Sequence, residues 1–238
     1  MSEFKKSRWA ESNFSQSYRD KASVFLPYRE QFIETVKSLY AHFIDSNTEA
    51  RVLDLGCGDG FFVQELLKSF CPADITLVDG SAEMLKAAEK HFGINGKICY
   101  VNSSFQDLIE KESLNGRFDF IYSSLAIHHL PFEEKKHLYT YIYKLLAQDG
   151  FFVNYDVVNN PYKKTEKWYM SLWKQRIKDH PNKELGEKLI DIPKHYKENP
   201  DNIPNTLQLQ LQILEEIGFK EVDSYFKYGI FSLFGGYK

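Results

Sequence analysis

Cysteine is scarce: Cys57, Cys71 and Cys99 are the only three in 238 residues, spaced too widely for a disulfide framework. No two of them form Cys-x-x-Cys, so no zinc site is expected, and the thiols read as reduced packing groups of a cytoplasmic protein. No apolar run reaches the ~18 residues needed to cross a bilayer, so no membrane span is expected. Met1 to Trp9 is charged with no apolar core behind it, unlike a secretory signal. Excess positive charge is also missing: the formal net charge is −3 and no basic stripe stands out, which argues against a nucleic-acid partner. Internal repeats and low-complexity segments are absent. What is there, 43% hydrophobic residues, can fill one sizeable core, so a single domain with an insertion is expected.

The densest information lies in Val52-Leu53-Asp54-Leu55-Gly56-Cys57-Gly58-Asp59-Gly60. Four residues read as a strand, the glycines turn the chain, and Phe61, Phe62, Leu66, Leu67 and Phe70 give the following helix an apolar side. Gly56 and Gly58 let backbone amides approach a ligand closely. A dinucleotide loop wants a further glycine at position 61, for close helix packing beside a pyrophosphate. That position is Phe61, so the loop suits a nucleoside without a pyrophosphate. The next strand, Ile75 to Val78, ends in Asp79, an acid placed to accept both ribose hydroxyls. Ser81 then caps a helix carrying Met84, Leu85, Ala88 and Phe92 at helical spacing.

Alternation continues to about residue 157. Strands are expected at 51–55, 74–79, 97–102, 117–124 and 149–157, with helices at 59–70, 81–92, 105–111 and 132–147. Gly150 supplies the turn into the fifth strand. This pitch means βαβ units and a parallel sheet covered on both faces. Before it, Phe32, Val36, Leu39, Tyr40 and Phe43 share one helical face. After it, residues 158–204 mix Tyr162, Trp168, Tyr169, Trp173 and Tyr196 with charges and prolines, as two or three helices with loops. A helix at 205–217 stops at Gly218. Strands at 219–227 and 230–237 then meet at Tyr228-Gly229.

The acid-x-Gly-x-Gly-x-Gly spacing after a hydrophobic strand, followed by a strand ending in an acid, resembles the first motifs of the class I S-adenosylmethionine-dependent methyltransferases. The resemblance implies a Rossmann-like, seven-stranded, mostly parallel sheet with an antiparallel seventh strand, helices on both faces and a helical lid inserted after strand five. It divides the chain into an N-terminal cover (1–45), a cofactor-binding core (51–157), a substrate cap (158–204) and a closing helix and hairpin (205–238). The implied cofactor is S-adenosylmethionine, leaving as S-adenosylhomocysteine. Carried over by position, Asp54 orients the methionine end, Gly56 and Gly58 line it, Asp79 with Gly80 holds the ribose, and Met84 lies against adenine. Many relatives have an acid after strand three for the exocyclic amine; here that position is Ser104. The Phe105 amide is the substitute, with Asp107 a second candidate that also reads as a helix N-terminal acid. Tyr18 and Arg29 are candidates to close over the cofactor and to pair with its carboxylate.

Ser123 to Pro131 follows strand four, where relatives face the transferred methyl, and this brings in Ser124 and Leu125. His128 and His129 are the catalytic candidates, as base or hydrogen-bond partner. Adjacent side chains diverge and no acid or cysteine stands at ligand spacing, so no metal is expected. Asn159-Asn160-Pro161-Tyr162 is similar to the Asn-Pro-Pro-Tyr motif of N-methyltransferases, but it follows strand five and reads as a turn. The expected activity is methyl transfer to a small-molecule acceptor. The alternative is a carboxy-S-adenosylmethionine-type, tRNA-modification-linked enzyme, which the layout also resembles. Arg176 is the only arginine in residues 158–204, and it gives that alternative no clear carboxylate anchor. Acceptor identity and oligomeric state are not legible.

Overall fold

The computed structural model describes residues 21–44, 49–93 and 96–238. Its seven strands are β1 (Arg51–Leu55), β2 (Asp74–Asp79), β3 (Ile98–Asn102), β4 (Phe118–Ser124), β5 (Leu146–Val157), β6 (Lys220–Tyr228) and β7 (Phe231–Tyr237). They form one sheet in the order β3-β2-β1-β4-β5-β7-β6. The pairs from β3 to β5 are parallel, while β7 runs antiparallel to both β5 and β6. Strand order reverses between β1 and β4, so a crevice opens at their carboxyl ends.

Helices α1 (Arg29–Phe43), α2 (Phe61–Leu67), α3 (Ala82–Phe92), α4 (Phe105–Lys111), α5 (Phe132–Leu145) and α9 (Leu207–Ile217) cover the two faces. Residues of β1 show why both faces must be covered. Val52 joins one apolar cluster with Phe62, Leu77 and Tyr122, and Leu53 and Leu55 join the other with Val78, Ile121 and Ile142. A strand with no polar side can be stable only between two layers. Two aromatic stacks set the α1 and α2 contacts: Phe32 on Tyr155 at 4.1 Å and Phe62 on Tyr122 at 3.7 Å between centroids.

The insert after β5 forms three helices, α6 (Lys163–Lys178), α7 (Lys183–Leu189) and α8 (Ile192–Glu198). Trp173 anchors it, donating from its indole nitrogen to the Phe25 carbonyl at 2.6 Å and packing edge-on against Phe231. Asn159 to Tyr162 is a turn: the Asn160 side-chain oxygen accepts from the Tyr162 amide. Most boundaries shift by one to three residues from the sequence reading, the glycine-loop helix being Phe61–Leu67 rather than 59–70, and two of the shifts have a visible cause. β5 begins at Leu146 rather than 149, because Leu146 already pairs with Phe118 before a register shift brings Phe151 opposite Phe120. The closing hairpin turns at Gly229-Ile230, one residue later than expected, with Gly229 taking the left-handed conformation.

Candidate active site

The loop after β1 is drawn tight against β2. The amides of Gly56 and Cys57 both donate to the Val78 carbonyl, at 2.8 and 3.0 Å. Gly56 has φ of 72°, and a Cβ there would stand 2.5 Å from that of Ala126. Gly58 is different: its φ is 56°, and a Cβ would meet nothing within 4 Å, because it would project into an open cavity. The Asp79 carboxylate fastens this loop, accepting from the Gly58 amide at 2.8 Å and the Ser81 amide at 2.7 Å. Each oxygen keeps capacity for a further donor. Burial raises the Asp79 pKa against the pull of those two amides, and Asp59 adds to the rise.

Asp54, at 1% exposure and one residue before the end of β1, has both carboxylate oxygens buried and without a hydrogen-bond partner. Burial first, then Asp79 and Asp59, hold its pKa well above the ordinary carboxylate range. Such a group is a standing deficit unless a donor or a cation arrives. The cavity beside it has a volume of about 540 Å³. Among the described residues, its walls carry the carboxylates of Asp54, Asp59, Asp79 and Asp201 against one guanidinium, that of Arg29. Arg29 enters from the first turn of α1 and lies 3.6 Å above the Phe61 ring centroid. Phe61, read from sequence as an apolar helix residue that excludes a pyrophosphate, therefore also seats the cavity's cation.

Gly80, Met84, Ser104 and Phe105 line the same cavity. The Ser104 hydroxyl is used locally: it accepts from the Asp107 amide at 3.1 Å and donates to the Asp107 carboxylate at 2.8 Å. Asp107 also pairs with Lys111 and is not part of the wall, as its helix-capping reading implies.

The turn after β4 is held in an unusual shape. Leu125 has φ of 52°, which costs a residue with a Cβ roughly 1–2 kcal/mol. Its amide donates to the Tyr155 carbonyl at 2.7 Å. Asp156, fully buried, organises the short helical turn at Ile127–His129, accepting from the His128 amide at 2.9 Å and from its Nδ1 at 2.6 Å. Burial pushes the Asp156 pKa up, but the His128 charge and hydrogen bonds outweigh it and the net shift is downward. His128 is therefore spent on Asp156 and does not line the cavity. His129 does. Its Nδ1 lies 3.0 Å from the Asp201 carbonyl, which can only accept, so Nδ1 carries the hydrogen and Nε2 keeps a lone pair. Burial and the neighbouring His128 lower the His129 pKa to about 3.

The cavity thus gathers Arg29, Asp54, Gly56, Gly58, Asp79, Gly80, Met84, Ser104, Phe105, Ser124, Leu125 and His129 of the residues selected from sequence. Tyr18 lies outside the described residues. Sequence reading missed Leu26 and Ile33 from the N-terminal side, Tyr122 and Tyr155 on the sheet, and Pro200, Asp201 and Ile203. Among the described residues the insert meets the cavity through those last three, a short strap after α8. No local sequence pattern marks the strap; Pro200 and Pro204 mark only a loop. Among the described residues no group of three His, Cys, Asp or Glu side chains could hold a metal, and no helix is long and apolar enough to cross a membrane.

Residues 52–150 match the family described as methyltransferase domain. The match covers less than half of the chain and spans the strand, glycine loop and helices that build the cavity. The chain is 25% identical to a carboxy-S-adenosyl-L-methionine synthase of Nautilia profundicola over 218 residues, 90% of this chain and 87% of that one. It is 28% identical to a sterol 24-C-methyltransferase of Clavispora lusitaniae over 220 residues, which is 89% of this chain and about half, 49%, of the relative. Its fold is similar to that of magnesium protoporphyrin IX methyltransferase from Synechocystis, solved with bound S-adenosylhomocysteine. That match has a TM-score of 0.64 at 13% identity and covers 97% and 96% of the two chains. These likenesses point to an enzyme of the methyltransferase kind, with S-adenosylmethionine as the group to test against the site. The residues fit that group: an orphaned buried carboxylate at Asp54, open space over Gly58, and a surplus of negative charge for a ligand bearing an ammonium and a sulfonium.

Proposed function

We propose that the chain is an S-adenosylmethionine-dependent methyltransferase acting on a small-molecule acceptor, and that the cavity volume is the observation that carries this. About 540 Å³ is ordinary for one drug-sized ligand. A nucleoside with an amino-acid tail takes most of it, leaving room for a compact acceptor only. When bound, the cofactor supplies an electrophilic methyl on a sulfonium. Asp54 takes its ammonium, Arg29 its carboxylate, Asp79 its ribose hydroxyls, and Met84 with the Phe105 amide its adenine. The remaining wall, Leu26, Ile33, Leu125, Tyr155 and Ile203, suits an acceptor with an apolar body. His129, neutral at working pH and on the cavity wall, orients the acceptor's O–H or N–H. With a pKa near 3 it orients rather than stores the proton. Catalysis then rests mainly on alignment.

The near full-length likeness to a carboxy-S-adenosyl-L-methionine synthase favours a second reading, in which the nucleoside itself is modified. A second carboxylate would need its own cation. Arg29 is the only arginine or lysine on the described cavity wall, and Arg176 lies outside it, over the Tyr28 ring at 4.9 Å. This asymmetry supports methyl transfer. The test is calorimetry with S-adenosylmethionine, S-adenosylhomocysteine and NAD, followed by mass spectrometry of metabolite pools incubated with enzyme and cofactor. Binding of the two adenosyl ligands without NAD, and acceptors heavier by one methyl, are expected. A nucleoside gaining a carboxylate instead would establish the second reading. Asp79→Ala is expected to lose hydrogen bonds worth roughly 1.5–3 kcal/mol each, and unchanged affinity in the folded variant would remove Asp79 from the site.

A further inference from the structure

Read along the chain, no basic stripe stands out, because the lysines of 163–178 are interleaved with aromatic and apolar residues. Helix α6 gathers them. Lys163, Lys167, Lys174 and Lys178 recur at intervals of four, seven and four residues, which keep one helical face, and Lys164 lies in the adjoining row with Trp168 and Ser171. All five lysines are exposed, while Trp173 and Ile177 on the other side of the helix are buried. The two acids nearest along the chain are taken up elsewhere: Glu166 accepts from Lys197 and from the Asn160 amide, and Asp179 holds the Gln175 side chain. Among the described residues none of the five lysines is in an ion pair. The rest of the surface is arranged differently: Lys37, Lys68, Lys86, Lys111 and Lys188 each pair with an acid three or four residues away. The α6 stripe also works against its own helix. Lys163 with Lys167, and Lys174 with Lys178, are like charges four residues apart, which repel. Lys163 and Lys164 stand in the first turn, where the helix dipole disfavours a cation. Beside them Trp168 is 58% exposed and Tyr162, just before the helix, 72% exposed. Folding accounts for neither the lysines nor the bare rings.

We propose that this face of α6 docks the protein on an anionic membrane surface. The contact is peripheral: the apolar side of α6 stays packed on the protein, and nothing spans the bilayer. A cluster of lysines on one helix face is drawn to acidic headgroups, each lysine near the surface gaining about fivefold in partition. An indole at the edge of the row finds its favoured place at headgroup level. The row runs straight for about 22 Å along the helix axis, so a flat partner meets all of it at once. Composition favours lipid over nucleic acid. Lysine is a hydrated point charge without the planar fork that reads phosphates and bases, and the insert's one arginine, Arg176, lies over the Tyr28 ring instead. The whole chain is net −3 although α6 is strongly positive, so a partner that touches this one face alone avoids the acidic remainder. The docking is independent of the reaction proposed above.

The experiment is flotation of the full chain with vesicles of phosphatidylcholine alone and of phosphatidylcholine with phosphatidylserine, at low and at near-molar sodium chloride. Binding to the phosphatidylserine vesicles at low salt is expected, weaker by roughly tenfold or more in high salt or without the acidic lipid. Lys167→Gln with Lys174→Gln should weaken it by roughly 25-fold. Tryptophan emission should shift to the blue on those vesicles, and Trp168→Phe should remove most of the shift. All three positions are exposed and outside the described cavity wall, so circular dichroism and S-adenosylhomocysteine affinity should not change in the variants. Absence of vesicle binding at low salt, or binding that the lysine and Trp168 variants leave unaltered, would overturn the proposal. A fluorescent single-stranded RNA tests the other polyanion: RNA binding at or above the vesicle affinity, lost in the lysine double variant, would give the face to nucleic acid and likewise overturn membrane docking. Failure of the wild-type protein to bind S-adenosylhomocysteine would count against the functional reading alone, since the docking uses no cavity residue.

Discussion

A carboxylate buried without a donor on either oxygen, as Asp54 is, serves the ligand at the expense of the empty protein. Asp54→Asn is expected to weaken S-adenosylhomocysteine binding by about 10- to 100-fold, the loss of one charge-assisted bond of roughly 1.5–3 kcal/mol. The same change should leave the unliganded protein at least as stable at pH 8. The raised pKa sets the sign. Stability from a carboxyl whose folded pKa exceeds its unfolded value is fully present below about pH 3.9 and is lost as pH rises through the folded value. Melting the unliganded proteins from pH 5 to 8 checks this: the wild type should lose ground relative to the variant. Parallel curves with equal ligand affinity would mean that Asp54 already has a partner in solution.

The strand–loop–helix element around Gly58 separates ligand access from folding. Gly58 is in the left-handed region, and its missing Cβ faces open cavity. A valine there meets both a backbone it tolerates poorly and the volume reserved for ligand. Gly58→Val should abolish measurable S-adenosylhomocysteine binding while keeping most of the helical circular dichroism, since the loop lies at the sheet rim. Retained binding by a folded Gly58→Val protein would contradict the geometry. Gly56 belongs to the same loop but answers to packing, because a side chain there would strike Ala126.

For the whole molecule, acid stability is where the buried polar layer behind β4 and β5 becomes measurable. His129 has its pKa lowered to about 3, so the folded state refuses a proton that the unfolded chain takes up below about pH 6.5. Stability from this group is present above pH 6.5 and is lost as pH falls from there toward 3, by at most ~1.4 kcal/mol per pH unit. Asp156, also lowered, adds a loss of the same sign below about pH 3.9. Asp54 and Asp79 push the other way, so the comparison of variants isolates His129. Urea midpoints at pH 7.5 and pH 5 should fall further apart in the wild type than in His129→Gln, whose amide can still donate to Asp201. Equal shifts in both would show that His129 titrates normally.

By itself the sequence determined the sheet, the cofactor loop and the class of ligand. Those rest on local rules: strand periodicity between Val52 and Val78, glycines where the backbone turns, an acid at the end of β2, a serine cap before Met84. Each involves residues a few positions apart, so the physics is legible along the chain. Tertiary structure alone decided which histidine faces the cavity. His128 and His129 are indistinguishable as neighbours, and only the arrival of Asp156 from β5 and Asp201 from the insert separates them. It also decided that the aromatic insert packs on Phe25 and Phe231 and reaches the cavity through Pro200, Asp201 and Ile203, and that Lys135 points inward. These contacts join residues 28 to 148 positions apart. No pattern at helical or strand spacing encodes such a pairing, because its energy appears only when the chain is folded and water is gone.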